Sequence, residues 1–142
     1  MELKIQNSKF IIQGRVVHGE HYGKKLGFPT ANLDRRDYVR RKLKIRLGVW
    51  AGYAIIRKKT TSPRPSPQEG RGRRWKAAIV IGPIDKRGLP KIEAHLLNFK
   101  GNLYGKQMVI GLYKYLRLFR KFKNEGELKR QIKKDIALVK KS

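Results

Sequence analysis

Thr30 and Asn32 stand two residues apart, directly after Pro29. In extended chain, residues i and i+2 point to the same side, and the proline disfavours helix around it. A hydroxyl beside an amide carbonyl makes a pair of hard oxygen ligands. Such a pair suits Mg²⁺ or another divalent cation that keeps several waters and takes its other ligands from substrate phosphates. The same two side chains equally suit a turn, where they would satisfy local backbone groups. Upstream, Gly19 and Gly23 flank a short polar loop followed by Lys24 and Lys25. Glycines let backbone N–H groups approach phosphate oxygens, with the lysines as cationic donors beside them. An ordinary turn has the same composition, and no Gly-Lys-Ser/Thr element follows, so this is not a P-loop. Glu93 lies in the apolar run Ile92 to Leu97, in a chain with 10 acidic residues in all. A carboxylate there serves either as a general base or as a surface strand residue paired with a lysine. His95 shares its face and reads as a structural histidine beside Glu93 rather than a second base. His18 and His21 read as loop residues, since no metal-ligand spacing recurs.

These residues need a scaffold, and the chain alternates in a way that supplies strands. Lys9–Val17, Gly48–Arg57, Trp75–Gly82, Lys91–Asn98 and Lys106–Tyr113 read as strands. Their spacing and Gly- and Pro-rich breaks point to a closed or nearly closed antiparallel barrel. Pro29 argues against a helix or a centrally paired strand over Leu26–Leu33. The basic run Arg35–Arg46 reads as irregular and mostly solvated. Thr60–Arg74 is rich in Pro, Ser, Gly and Arg, and reads as a low-complexity insertion that interrupts the sheet without dividing it. Toward the C-terminus the period changes. Leu128, Ile132, Ile136 and Val139 share one helical face, and Asn124 with Glu127 forms a capping-box pattern. The basic residues of this helix read as its solvated face.

The chain has 142 residues, which fits one domain spanning 1–142, and no cysteine, which excludes disulfides, zinc–thiolate sites and cysteine nucleophiles. No run approaches the roughly 20 apolar residues of a membrane-spanning helix. The start, Met1 to Lys4, lacks a signal-peptide core, so a cytoplasmic location is expected. The formal net charge of +26 attracts polyanions. This supports a rival reading as a nucleic-acid-binding β-barrel, with Trp50, Trp75, Tyr113 and Tyr115 as stacking platforms. Thr30, Asn32 and Glu93 would have no work in such a module.

Gly27-Phe28-Pro29-Thr30-Ala31-Asn32 resembles the signature of the riboflavin kinase family, found alone or as the C-terminal half of bifunctional bacterial FAD synthetases. Gly48-Val49-Trp50-Ala51-Gly52, Ile92-Glu93-Ala94-His95-Leu96-Leu97 and Leu103-Tyr104-Gly105 resemble further family elements in order. So does Leu116-Arg117 followed by Lys121-Phe122. The resemblance covers nearly the whole chain except the insertion. It departs where Pro83-Ile84-Asp85-Lys86 stands in place of Asn-Pro-Thr-Phe, and where Asn98 and Asn102 stand near positions commonly acidic. It implies a mainly β fold, a six-stranded antiparallel Greek-key barrel with a C-terminal helix. It implies an ATP:riboflavin phosphotransferase that makes FMN and ADP, stops there for want of an adenylyltransferase half, and acts as a monomer. An inactive flavin-binding relative is the other outcome of the same resemblance. By that resemblance Glu93 is the catalytic base and Thr30 and Asn32 bind the metal. Gly19, Lys24, Leu96, Asn98 and Tyr104 serve ATP, while Arg117, Arg120 and Phe122 contact the flavin. Nucleic acid would bind only through non-specific charge.

Overall fold

The computed structural model describes residues 10–17, 30–57, 74–99, 101–118 and 122–142. Six strands alternate with turns: β1 (Phe10–Val17), β2 (Ala31–Leu33), β3 (Gly48–Arg57), β4 (Arg74–Ile84), β5 (Pro90–Leu96) and β6 (Gln107–Arg117). Two helices accompany them, the short α1 (Arg36–Arg40) after β2 and α2 (Glu125–Lys141) at the C-terminus. The strands close into a barrel in the order β1-β2-β5-β4-β3-β6, and every pairing is antiparallel. β3, β4 and β5 are consecutive neighbours and β6 returns beside β3, which is the Greek-key arrangement.

Period-two alternation sorts the side chains. Ile12 and Val16 of β1, Ala31 and Leu33 of β2, Ile79 and Ile81 of β4, and Ile92, Ala94 and Leu96 of β5 fill the interior. They meet Trp50, Ala54, Met108, Ile110 and Leu112 there. β3 and β6 approach closely because two positions lack side chains. A Cβ on Gly52 would sit 2.1 Å from the Gly111 carbonyl oxygen, and one on Gly111 would sit 2.4 Å from the Tyr53 ring. Neither obstacle can step aside: one is backbone and the other a buried ring.

Three expectations change. The stretch after Pro29 does contain a centrally paired strand. Ala31–Leu33 hydrogen-bonds to β1 on one side and β5 on the other, because the proline lies just outside it and removes no ladder donor. The Arg35–Arg46 run is ordered around a helical turn, with Asp37, Tyr38 and Ile45 buried. Arg74 belongs to β4, where its guanidinium lies 4.2 Å from the centroid of the Tyr53 ring; the rest of the Thr60–Arg74 insertion lies outside the described residues. At the other ends, β5 stops at Leu96 and Asn98 takes φ 61°, a left-handed turn conformation that Asn tolerates. β6 runs past Tyr113 to Arg117.

β2 is so short that it pairs with only the last residues of β1, Val16 and Val17. α1 covers the remaining edge. Asp37 Oδ2 accepts from the Gln13 backbone N–H at 3.0 Å, and Arg41 donates to the Ile11 carbonyl. Arg40 Nη2 donates to Asp37 Oδ1 at 2.9 Å and holds the carboxylate in place. A neighbouring clamp ties the same region to the β4–β5 turn. Arg35 pairs with Asp85, which also accepts from the N–H groups of Arg87 at 2.8 Å and Leu89 at 3.2 Å. The Arg35 hydrogen bond, helped by these two donors, holds the Asp85 carboxyl down at about 2. The departure at Pro83-Ile84-Asp85 thus builds a turn.

α2 lies on the outside of the barrel. Val139 and Ile136 pack on Ala51, Ala78, Leu97, Tyr113 and Leu116. Asn124 Oδ1 accepts from Glu127 N–H at 2.9 Å, while Glu127 Oε1 accepts from Lys123 N–H at 3.1 Å. The reciprocal bond therefore reaches one residue before the cap. Arg117 fastens the helix to β6 through two parallel bonds to Asp135, Nε to Oδ1 at 2.9 Å and Nη2 to Oδ2 at 2.8 Å.

Gly52→Ala should cost about 3 kcal/mol, the upper range for overpacking a core, read as a lower urea midpoint with an unchanged slope. Asp135→Ala should cost about 3 kcal/mol, because it strands a mostly buried guanidinium. A thermal midpoint unchanged by Asp135→Ala would show that Arg117 is not held by this pair.

Candidate active site

The outer surface of β5 carries Glu93 and His95, followed just past the strand by Leu97, since Ile92, Ala94 and Leu96 take the interior. Leu97 is already under α2. Glu93 lies beyond the helix, partly open, with its side chain 33% exposed against 12% for His95. Asn32 pairs directly with Glu93 across the β2–β5 ladder, and with Val17 on its other side. Val80 of β4 faces Glu93 across the other ladder, and Ala78 faces His95.

Thr30 immediately precedes β2. Ala31 and Leu33 are buried in the core, so Asn32 belongs to the outer surface and stays partly exposed, as does Thr30. The three-residue strand therefore sets an amide next to a carboxylate, with a hydroxyl two residues before it. His95 Nε2 lies 3.2 Å from Glu93 Oε1, while its Nδ1 is buried with no hydrogen-bond partner among the described residues. That contact is the structural role expected of His95.

The turn that carries Tyr104 is tied to β1. Gly105 N–H donates to the Val16 carbonyl at 2.9 Å, and Val16 N–H donates to the Lys106 carbonyl at 2.9 Å. This turn is thereby pinned to the end of β1 that pairs with Asn32. The Tyr104 side chain is 52% exposed, and Asn102 Oδ1 supports its backbone N–H at 2.9 Å. Asn98 is exposed in the turn after β5.

Other expected site residues have a different placement or fall outside what the structure describes. Leu96 projects into the barrel interior, on the face opposite Glu93, and is 4% exposed. Arg117 is engaged by Asp135. Phe122 is partly buried just before α2. Gly19, Lys24 and Arg120 lie outside the described residues. Among the described residues no cluster of three or more His, Cys, Asp or Glu side chains could hold a metal. A cation at this surface would need oxygen donors such as Thr30 and Asn32, completed by a ligand's own oxygens, which is how Mg²⁺ is commonly held beside nucleotides. Asp37, buried at the barrel seam, was missed in the sequence because a basic run hides a lone acid.

The aromatic residues that supported a nucleic-acid reading are committed to packing. Trp50 is buried, edge-on to Phe10 and Tyr115 with centroids 5.7 and 5.2 Å away. Tyr115 donates to the Leu47 carbonyl at 2.8 Å. Trp75 meets Phe99 edge-on at 5.1 Å, and Tyr113 packs in the cluster under α2. No helix among the described residues is long and apolar enough to cross a membrane.

Comparison with known proteins agrees with this architecture. The riboflavin kinase family model, Flavokinase, matches residues 6–142. A bifunctional riboflavin kinase/FMN adenylyltransferase of Buchnera aphidicola subsp. Schizaphis graminum is 34% identical over 142 residues. The match takes in 97% of this chain but 40% of that protein, so the chain spans about two fifths of its length. Two crystal structures share the fold. One, titled a macrolide-efflux protein from Streptococcus pneumoniae, has a TM-score of 0.71 at 23% identity, covering 92% of this chain and 38% of the other. The riboflavin kinase from Trypanosoma brucei has a TM-score of 0.66 at 24% identity, covering 92% and 74%. With its barrel, its outer-face Asn32–Glu93 pair and a family match over nearly its whole length, the chain belongs to the riboflavin kinase family.

Proposed function

We propose that this chain is a single-domain riboflavin kinase that transfers the γ-phosphate of ATP to the ribityl 5′-hydroxyl of riboflavin. The observation that carries the reading is the cross-strand placement of Asn32 beside Glu93, two residues after Thr30. Glu93 is the base: its carboxylate accepts the hydroxyl proton as that oxygen bonds to the γ-phosphorus. The bond from the γ-phosphorus to the bridging oxygen breaks, ADP leaves and FMN forms. General-base help of this kind is worth about 10²–10⁴-fold. Positioning and charge neutralisation supply much of the rest. Thr30 and Asn32 would hold Mg²⁺, which supplies charge neutralisation on the phosphates. Tyr104 and Asn98, on turns near this surface, are assigned to the nucleotide, together with Gly19 and Lys24. Phe122, Arg120 and Arg117 are assigned to the flavin, Arg117 chiefly by holding α2 in place through Asp135. We assign residues 60–73 to an insertion between β3 and β4, and the reaction to the cytoplasm.

Purified protein with Mg-ATP and riboflavin should yield FMN and ADP, followed by chromatography with flavin absorbance. Glu93→Gln should lower kcat by about 10²–10⁴-fold with KM for both substrates within a few-fold. No FMN across several divalent metals, with oxidised or reduced riboflavin, rules the kinase reading out. Thr30→Ala and Asn32→Ala should each raise the Mg²⁺ concentration needed for half-maximal rate while leaving the thermal midpoint unchanged. Full activity of both at limiting Mg²⁺ would leave them as turn residues only.

A further inference from the structure

Resting on the assignment of Glu93 as base, we propose that His95 is a positioning residue that holds the Glu93 carboxylate through one fixed imidazole tautomer. His95 follows Glu93 by two residues on the outer face of β5, so the strand's pleat places both side chains side by side. Nε2 is 3.2 Å from Oε1, and the imidazole is only 12% exposed. Nδ1 is buried and has no partner among the described residues.

These facts together select a proton position. Neutral imidazole carries its proton on one nitrogen and a lone pair on the other. A proton on Nδ1 would bury an unsatisfied donor and turn the Nε2 lone pair against the carboxylate oxygen. A proton on Nε2 makes a hydrogen bond to Oε1 and leaves only an unfilled acceptor at Nδ1, the less costly orphan. His95 is therefore a donor to the carboxylate and takes no proton from it. Its neighbours are held in packing: Ala78, its partner across the β4–β5 ladder, and Leu97, two residues on, belong to the cluster under α2 with Val139. With Oε1 engaged, Oε2 is the oxygen assigned to the substrate hydroxyl. The arrangement stops rotation about the terminal torsion, which is broad for a free Glu side chain. Displacements of about 1 Å at a reacting group cost up to about 10²-fold in rate.

The test combines spectroscopy with kinetics. Long-range ¹H–¹⁵N spectra of the intact protein should show His95 protonated at Nε2 and bare at Nδ1; a proton on Nδ1 overturns the proposal without touching the kinase reading. His95→Ala should lower kcat about 10- to 100-fold with KM for ATP and riboflavin nearly unchanged. His95→Gln, whose amide N–H can take the place of Nε2–H, should recover most of that loss. Equal loss in His95→Ala and His95→Gln, at matched thermal midpoints, would make His95 a packing residue and overturn the proposal. So would a His95→Ala enzyme within twofold of the parent while Glu93→Gln is inactive. Full turnover of Glu93→Gln would instead overturn the base assignment on which the positioning role stands.

Discussion

A barrel must satisfy the backbone of every strand around its circumference, and here the ring closes through a strand of three residues. β2 meets β1 only at Val16 and Val17, so the N–H and C=O groups farther up β1 would face the core's edge unpaired. Orphaned backbone groups are costly when buried. Side chains stand in for the absent strand: the Asp37 carboxylate accepts from Gln13 N–H, and the Arg41 guanidinium donates to the Ile11 carbonyl. The proposed chemistry sits at the same joint. Asn32 is at the centre of β2 and faces Glu93, so the interactions that close the barrel also set the separation between the amide and the carboxylate. Clamps at α1, at Asp85 and at Arg117 fix the elements around this joint.

Such a design sets the proposed active surface on the outside of the barrel. The interior is filled by aliphatic side chains from all six strands and by Trp50. Alternation along β5 sends Ile92, Ala94 and Leu96 inward and leaves Glu93 and His95 outside. α2 covers one end of that outer face through Leu97 and Val139, and β2 borders it on the side of Asn32. Between the two, a polar strip one strand wide remains.

Strands with long apolar alternation were legible in the sequence. Gly48–Arg57 coincides with β3, and the alternation in β5 correctly put Glu93 and His95 on one face. The helical period of Leu128 to Val139 and the Asn124 cap marked α2. What escaped was held by single contacts across long sequence separations. β2 has too few residues for any periodicity to register, and its strand character comes from neighbours on both sides. α1 is one turn within a cationic stretch, and contacts with β1, among them the pairing of Asp37 with Gln13, 24 residues away, give it a place. Leu96 was assigned to the nucleotide through a motif, yet the pleat turns it inward. Asp135 sat beside lysines that read as the solvated face of the helix, with no local sign of its bond to Arg117. The order of the Thr30–Asn32, Glu93 and Tyr104 motifs carried the fold and the family; the register that brings Asn32 to Glu93 had to come from the structure.

The scarcity of acids gives the molecule a lopsided tolerance to change. Asp34, Asp37, Asp85, Glu127 and Asp135 each accept a hydrogen bond that fixes a turn, an edge or a helix, and Glu93 is paired with His95. In a chain of net charge +26, the exposed lysines repel one another, so replacing one by a neutral residue relieves strain in the overall field. Removing an acid does the reverse twice over: it deletes a fastening and deepens the imbalance. Tolerance to neutral replacement thus belongs to the exposed lysines, while the bonded carboxylates and the arginines that hold them, Arg35, Arg40 and Arg117, stand as fixed points of the architecture.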